Sequence, residues 1–297
     1  MRRRASPRLK GLQSMPVRRL TWLLALLLSA APCLAAEGVL RYPRAPVGDE
    51  FRPAYPLAQL QLALDKVGSS LRIVPSQHHM EQQRALLSLE QGEAVDVVWT
   101  MTSLERERRL LPVRIPLDKG LYGWRIALLR ADQPNLLRGV RTLNDLSRLR
   151  AGQGHDWPDT DILRGHGLRV EVSSSYESLF LMLEARRFDY FPRAVLEVED
   201  ELRHNRQRPL VADSHLALHY PTALYFFFSP HAPQLAETVR QGLELALADD
   251  SFERVFQQYH GADLRRVALQ RRQVIELDNP LLPPQTPLQR RELWYRP

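Results

Sequence analysis

The sequence predicts an α/β fold with two similar halves, and three observations carry that expectation. Apolar runs of strand length alternate with amphipathic stretches from residue 38 to about residue 261. Strands joined by helical crossovers produce that pattern. Glycines punctuate the ends of the amphipathic stretches, as at Gly68 and Gly92, where a helix most readily stops. Once the leader described below is set aside, roughly 260 residues remain, enough for two modest lobes with a core each.

GVLRYP, residues 38–43, opens as a short strand. YPLAQLQLALDKVG places its apolar residues at helical spacing and ends at Gly68. LRIVPS is a strand, and MEQQRALLSLEQGE an amphipathic helix that also ends near a glycine. AVDVVWTM, residues 94–101, is a buried strand that runs directly into the charged turn TSLERERR. A solvated helix explains such a turn; so does a binding site, because ligands of open α/β sheets sit at the carboxyl ends of strands.

A second series follows. GWRIALLR is a strand, TLNDLSRLR a short helix with a polar start, and AGQG leads into HDWPDTDILRGHG. There Pro158 marks a helix start and Gly165 or Gly167 its stop. VEVSS is a strand, YESLFLMLEARR a helix, FDYFPR a strand and VLEVEDELRHN a helix. LALHYPTALYFFFS is long enough for two strand segments, and PQLAETVRQGLELALADDSFERVFQQYHG reads as two helices. The proline-rich NPLLPPQTPLQRRELWYRP is expected to lie extended over the surface.

Residues 1–36 read as a cleaved secretory signal peptide. Seven basic residues precede the apolar run TWLLALLLSAA, and small residues follow it, with cleavage after Ala35 or Ala36. The run is short for a membrane span. Met15 would also serve as a start, since MPVRRLTWLL suffices as a signal. The leader holds 7 of the 41 Lys and Arg residues and none of the 34 Asp and Glu, so the remainder carries 34 of each sign. Its formal charge is then zero, which argues against a nucleic-acid partner. The single cysteine, Cys33, lies in the leader beside Pro32, which breaks a lipoprotein box. The exported chain would therefore hold no disulfide, thiolate metal site or cysteine nucleophile.

No Walker loop, GxSxG or HExxH occurs, and GQG at 152–154 falls short of a dinucleotide fingerprint. His215 and His219 are four apart on strand or loop, a spacing that makes a metal pair only on a helix. No cofactor and no metal is implied. The aromatics Tyr42, Trp99, Trp124, Trp157, Tyr190 and Phe191 fall at strand ends or adjoining loops. Core packing is their default, and a ligand cleft with aromatic walls is the alternative.

DVVWTMTSLERERR, then FLMLEARRFDYFPR, then PQLAETVRQGLELALADDSFERVFQQY resemble, in order and spacing, the extracellular solute-binding proteins of family 3. These are the periplasmic binding proteins of amino-acid-type ABC transporters. The resemblance covers most of residues 37–262. It implies a type II periplasmic-binding-protein-like fold, with two lobes joined by two crossing strands. Lobe 1 would combine 37–120 with 222–275, lobe 2 would be 121–221, and 276–297 would be the tail. It also implies a monomeric periplasmic protein, not an enzyme, that closes on a small-molecule ligand and serves a membrane permease or receptor.

The family's T-x-E-R turn corresponds to Ser103-Leu104-Glu105-Arg106, which implies that Arg106 pairs with a ligand carboxylate, near Thr102 and Ser103. Planar guanidinium suits that task. Counting from Asp96 without gaps chooses Arg108 instead; two residues apart on a helix, the two cannot face the same way. Tyr42, Trp99 and Trp124 are candidate walls. His155, Asp156 and Trp157 stand at the lobe-2 helix start, where the family binds a carboxylate and where acids also act as caps. The family's aspartate for a ligand ammonium corresponds to Ala194, preceded by Arg193, a cation that repels an ammonium. Two other classes stay open: a cyclohexadienyl-dehydratase-like enzyme, with His155, Asp156 or Glu197 as general acid, and an envelope interaction module without a ligand.

Overall fold

A computed structural model describes residues 38–45 and 53–297. The leader and its cleavage site lie outside the described residues. None of the described helices is long and apolar enough to cross a membrane.

In the first lobe, β1 (Val39–Arg44) pairs in parallel with β2 (Arg72–His79) across the helix α1 (Ala54–Lys66). Leu60, Ala63 and Leu64 of α1 are fully buried. The helix α2 (Gln82–Gln91) stops at Gly92, whose φ of 71° is costly for any residue with a Cβ. Then come β3 (Val97–Met101), α3 (Leu104–Arg109) and β4 (Leu111–Val113). Asp96 N donates to Arg41 O at 2.8 Å, carrying the pairing from β1 towards β3. The Arg41 guanidinium grips the Asp96 carboxylate at the same place.

The second lobe is built on β5 (Trp124–Arg130). It pairs antiparallel with β8 (Phe191–Ala194), β9 (Leu210–Ala212) and β10 (Leu216–His219). β6 (Arg150–Gly154) and β7 (Arg169–Ser173) form a parallel pair, joined towards β8 by the hydrogen bond from Gly152 N to Tyr190 O. Four helices accompany them: α4 (Leu143–Leu146), α5 (Pro158–Gly165), α6 (Tyr176–Glu184) and α7 (Val198–His204). Alternation along β5 sends Ile126 and Leu128 towards Leu179, Phe180 and Leu183 of α6. Ala127 and Leu129 meet Ile162 and Leu163 of α5.

The chain then returns as β11 (Leu224–Phe228), antiparallel between β3 and β4. All five of its residues are buried. Phe226 and Phe228 enter the core with α1 and α8 (Pro233–Ala248), whereas Tyr225 and Phe227 fill the opposite face with Ala85 and Leu89 of α2. A strand covered on both sides reads as a continuous apolar run. After α9 (Ser251–Val267) comes β12 (Gln273–Glu276), which pairs with β10. The grouping of 222–275 with the first lobe therefore meets, at its end, a strand hydrogen-bonded into the second lobe's sheet.

The tail is docked against the hinge. Asn279 Nδ2 donates to Pro221 O at 2.8 Å, Leu104 N to Leu281 O at 2.9 Å, and Tyr295 N to Lys119 O at 2.7 Å. Leu293 is buried, and the Trp294 ring lies against Gly120. Residues 114–123 and 220–223 are thus two crossings between lobes, both touched by the tail, and the chain passes a third time between α9 and β12. Asp118 ties the first two together, accepting N–H groups from Gly120 and Tyr122 on one crossing and from Leu224 beyond the other.

Candidate functional site

Between the lobes lies a cavity of about 490 Å³ with both lobes in its walls. Arg106, Trp99, Gln82 and Tyr55 come from the first lobe, and Arg125, Trp157, Asp159, Tyr176, Arg193, Glu197 and Glu201 from the second. Tyr122 and Asp118 lie at the hinge, and His260 comes from α9.

Arg106 is set by the end of β3 and the start of α3. The Ser103 hydroxyl caps α3 by accepting from Arg106 N at 3.2 Å, and Thr102 Oγ1 donates to Glu107 at 2.6 Å. The Arg106 guanidinium turns inward and is buried. It donates to Thr100 Oγ1 at 2.6 Å, Met101 O at 2.8 Å, Gln82 Oε1 at 2.5 Å and, across the cleft, Asp156 O at 3.1 Å. All four acceptors are neutral, and no described carboxylate is in ion-pair contact with it. Burial lowers its pKa to about 10, and the more distant Asp156 and Asp159 only partly oppose that.

The second lobe holds its arginines differently. Arg125 pairs with Asp159 at 2.6 Å and donates to the Tyr220 hydroxyl at 2.9 Å. Burial works against its charge, but Asp159 outweighs it and the pKa is raised. Arg193 meets both oxygens of Glu201 at 2.9 Å through Nε, and Glu197 at 2.9 Å through Nη2. Its guanidinium carbon stands 4.8 Å from the Trp157 ring centroid, 4.9 Å from Phe191 and 5.6 Å from Tyr176. Burial opposes the charge here too, and Glu197 and Glu201 hold it well above the ordinary arginine value. Trp157 is seated by Gly154, where a Cβ would collide with the indole. Its ring stacks on Phe191 with an interplanar angle of 12°.

Of the residues singled out from the sequence, Arg106, Trp99, Trp157 and Arg193 share this cavity. Asp156 contributes only its carbonyl to Arg106. Ser103 and Thr102 lie behind the wall as anchors of α3, and Tyr42 packs behind Trp99 at 5.8 Å. Trp124 points away and stacks on His219 at 4.1 Å. The His155 side chain is 42% exposed and outside the lining. Arg108 lies on the outer face of α3, where it donates to Leu104 O. Among the described residues no three His, Cys, Asp or Glu side chains gather to hold a metal.

No family model matches the chain, and no curated relative matches it. Solved structures do. An ancestral arginine-binding protein bound to arginine aligns at 14% identity and a TM-score of 0.56, covering 75% of this chain and 99% of that one. A histidine kinase sensor domain with similarity to periplasmic binding proteins aligns at 17% identity and a TM-score of 0.57, covering 76% and 96%. A probable amino-acid ABC transporter extracellular-binding protein from Bacillus subtilis aligns at 16% identity and a TM-score of 0.56, covering 76% and 97%. The fold is that of a two-lobed, type II periplasmic binding protein. Likeness at these identities reaches the fold, and function has to be read from the site.

Within this periplasmic-binding-protein fold, several lining residues escaped the sequence reading. Arg125 sits inside the apolar strand GWRIALLR, and a charge at an otherwise buried position is the signal that would have found it. Tyr122, Tyr176, Gln82, Tyr55 and His260 gave no signal, because they come from five separate elements that only folding brings together.

Proposed function

We propose that the protein binds a small polar organic solute bearing an anionic group, by closing its two lobes, in the periplasm after export on a cleaved leader. It acts as a monomer and delivers the solute to a membrane permease or presents it to a receptor. Neighbours of the fold named as ABC-transporter binding proteins and as a kinase sensor domain support both destinations.

One observation carries the reading. Arg106 is a buried cation lining the cleft and held only by neutral acceptors. A buried charge without a counter-charge is costly, and a ligand anion would supply the missing partner. The way the second-lobe acids and Asp118 are held favours binding over chemistry. Asp159, Glu197 and Glu201 are each ion-paired to an arginine, and Asp118 is capped by backbone N–H groups. His155 lies outside the lining, and Asp156 offers only its carbonyl.

Thermal-shift and calorimetric titration of the exported protein against a library of small carboxylic and amino acids tests this. A ligand raises apparent stability by mass action. The expected result is at least one acid that binds the wild type and is lost in Arg106→Ala. No binder, or a binder indifferent to Arg106→Ala, overturns the reading.

A further inference from the structure

Arg193 stands where recognition of a foreign guanidinium would be expected to occur. Its planar head faces the rings of Trp157, Phe191 and Tyr176. Glu201 receives it through both oxygens, and Glu197 adds a third carboxylate oxygen. The carboxylates are themselves oriented: the Tyr176 hydroxyl donates to Glu201 at 2.7 Å and the Tyr122 hydroxyl to Glu197 at 2.5 Å. Aromatic faces with aimed carboxylates are what a protein uses to select a flat organic cation. Arg193, Trp157, Tyr176, Glu197 and Glu201 all line the same cavity. The box is therefore part of the ligand cleft, and its occupant is the protein's own side chain.

We infer that the cleft contains a cation-binding box that the protein fills with Arg193, so that the solute it takes is an organic acid without a cationic group. The ligand assignment rests on the solute-binding reading above. The self-filled box does not.

The charges of the cleft support both parts. Asp159 pairs with Arg125, and Glu197 and Glu201 share Arg193, with burial pushing the Glu201 carboxyl up. A ligand ammonium entering the second-lobe side would find these acids already engaged and two guanidiniums beside it, and like charges at short range repel. Among the buried guanidiniums described in the cleft, Arg106 on the facing wall is the one without a carboxylate partner, and it asks for an anion.

Two experiments test the inference. Arg193→Gly removes the equivalent of n-propylguanidine and leaves two carboxylates, Glu201 buried and Glu197 partly buried, facing an empty slot. Millimolar n-propylguanidinium should raise the Tm of R193G by about 3 to 6 °C at ten times its dissociation constant. n-Butylammonium should raise it less, and neither should move the wild type. No difference between R193G and the wild type, or equal rescue by the ammonium, overturns the self-filled box.

The second experiment needs no variant and serves if R193G cannot be purified folded. The wild type is titrated with matched acids that differ in the α-ammonium: succinate against aspartate, glutarate against glutamate, 3-phenylpropanoate against phenylalanine. The ammonium-free member should bind at least about tenfold tighter in every pair that binds. Tighter binding of the amino acid overturns the ligand assignment. If no member of any pair binds, solute binding itself falls and takes the ligand assignment with it, while rescue of R193G still decides the box.

Discussion

The two walls of the cleft bury arginines in opposite ways. On the first lobe Arg106 is held by a hydroxyl, two backbone carbonyls and a side-chain amide, and burial lowers its pKa to about 10. On the second, Arg125 and Arg193 are matched by carboxylates and are raised. A guanidinium matched by its own protein is structure. One held only by neutral acceptors is an open electrostatic position. The difference teaches that burial of a charge in a cleft says little until its partners are named.

The sharpest way to break this contrast is to unmatch the second wall. Glu201→Gln removes the bidentate partner of Arg193, and breaking a buried pair costs about 3–5 kcal/mol. Urea unfolding should show that loss. A change below about 1 kcal/mol would mean the pair is not what holds this wall.

The first wall should behave in the reverse manner. Arg106→Ala should cost about 2–4 kcal/mol of binding free energy for a solute that pairs with it. The more isosteric Arg106→Met should leave Tm unchanged or raised, because an uncompensated buried charge has gone. Arg108→Ala, on the outer face, should do little to either. A large fall in the stability of R106M would make Arg106 a structural residue like Arg193.

Two groups lining the cavity, Asp118 at the hinge and His260 on α9, offer a comparison of sign. Burial raises the folded pKa of Asp118 from 3.8 to about 6, so the folded chain holds a proton that the unfolded chain releases. Its contribution to stability therefore grows as pH falls from about 6 to about 4. Burial lowers His260 from 6.5 to about 4, so the unfolded chain takes the proton first. Stability is lost as pH falls through that window. Each effect reaches about 3 kcal/mol at most, and they oppose. Unfolding at pH 7 and pH 4.5 should show Asp118→Asn losing more stability than wild type on acidification and His260→Phe losing less. Identical slopes for all three would exclude both assignments.

The smallest effect lies at the cap of α3. Ser103→Ala removes the hydroxyl that accepts from Arg106 N, which costs about 1 kcal/mol. The same substitution should weaken a solute held by Arg106 several-fold, because α3 aims that side chain. A stability loss with unaltered affinity would show that α3 keeps its pose without the cap.

Local periodicity made most elements legible. The amphipathic spacing of residues 55–68 and 80–93 anticipates α1 and α2, and Gly92 ends α2 with positive φ. The LALHYPTALYFFFS run divides into β10 and β11. Other limits were misjudged where neighbours overrode pattern. The helix expected over 142–150 is only α4, Leu143–Leu146, because Arg150 begins β6. β2 runs on to His79, beyond the expected strand LRIVPS, because β1 lies beside it as far as Arg44. The proline-rich tail showed no periodicity, so neither its docking on two of the crossings nor the burial of Leu293 was visible.

What the sequence determined by itself is what local chemistry determines: the alternation of strands and helices, their glycine stops, and the hydroxyls and cluster of arginines after β3. Spacing left Arg106 and Arg108 as alternatives, and it could not say which of them, or of Arg125 and Arg193, lacks a counter-charge. Only the tertiary structure decided that. Asp159 lies 34 residues from Arg125, whereas Glu201 lies 8 from Arg193 across a strand-to-helix turn. The acceptors of Arg106 come from β3, α2 and the opposite lobe. Electrostatic matching depends on distance and burial, and folding sets both by bringing together residues that are remote along the chain.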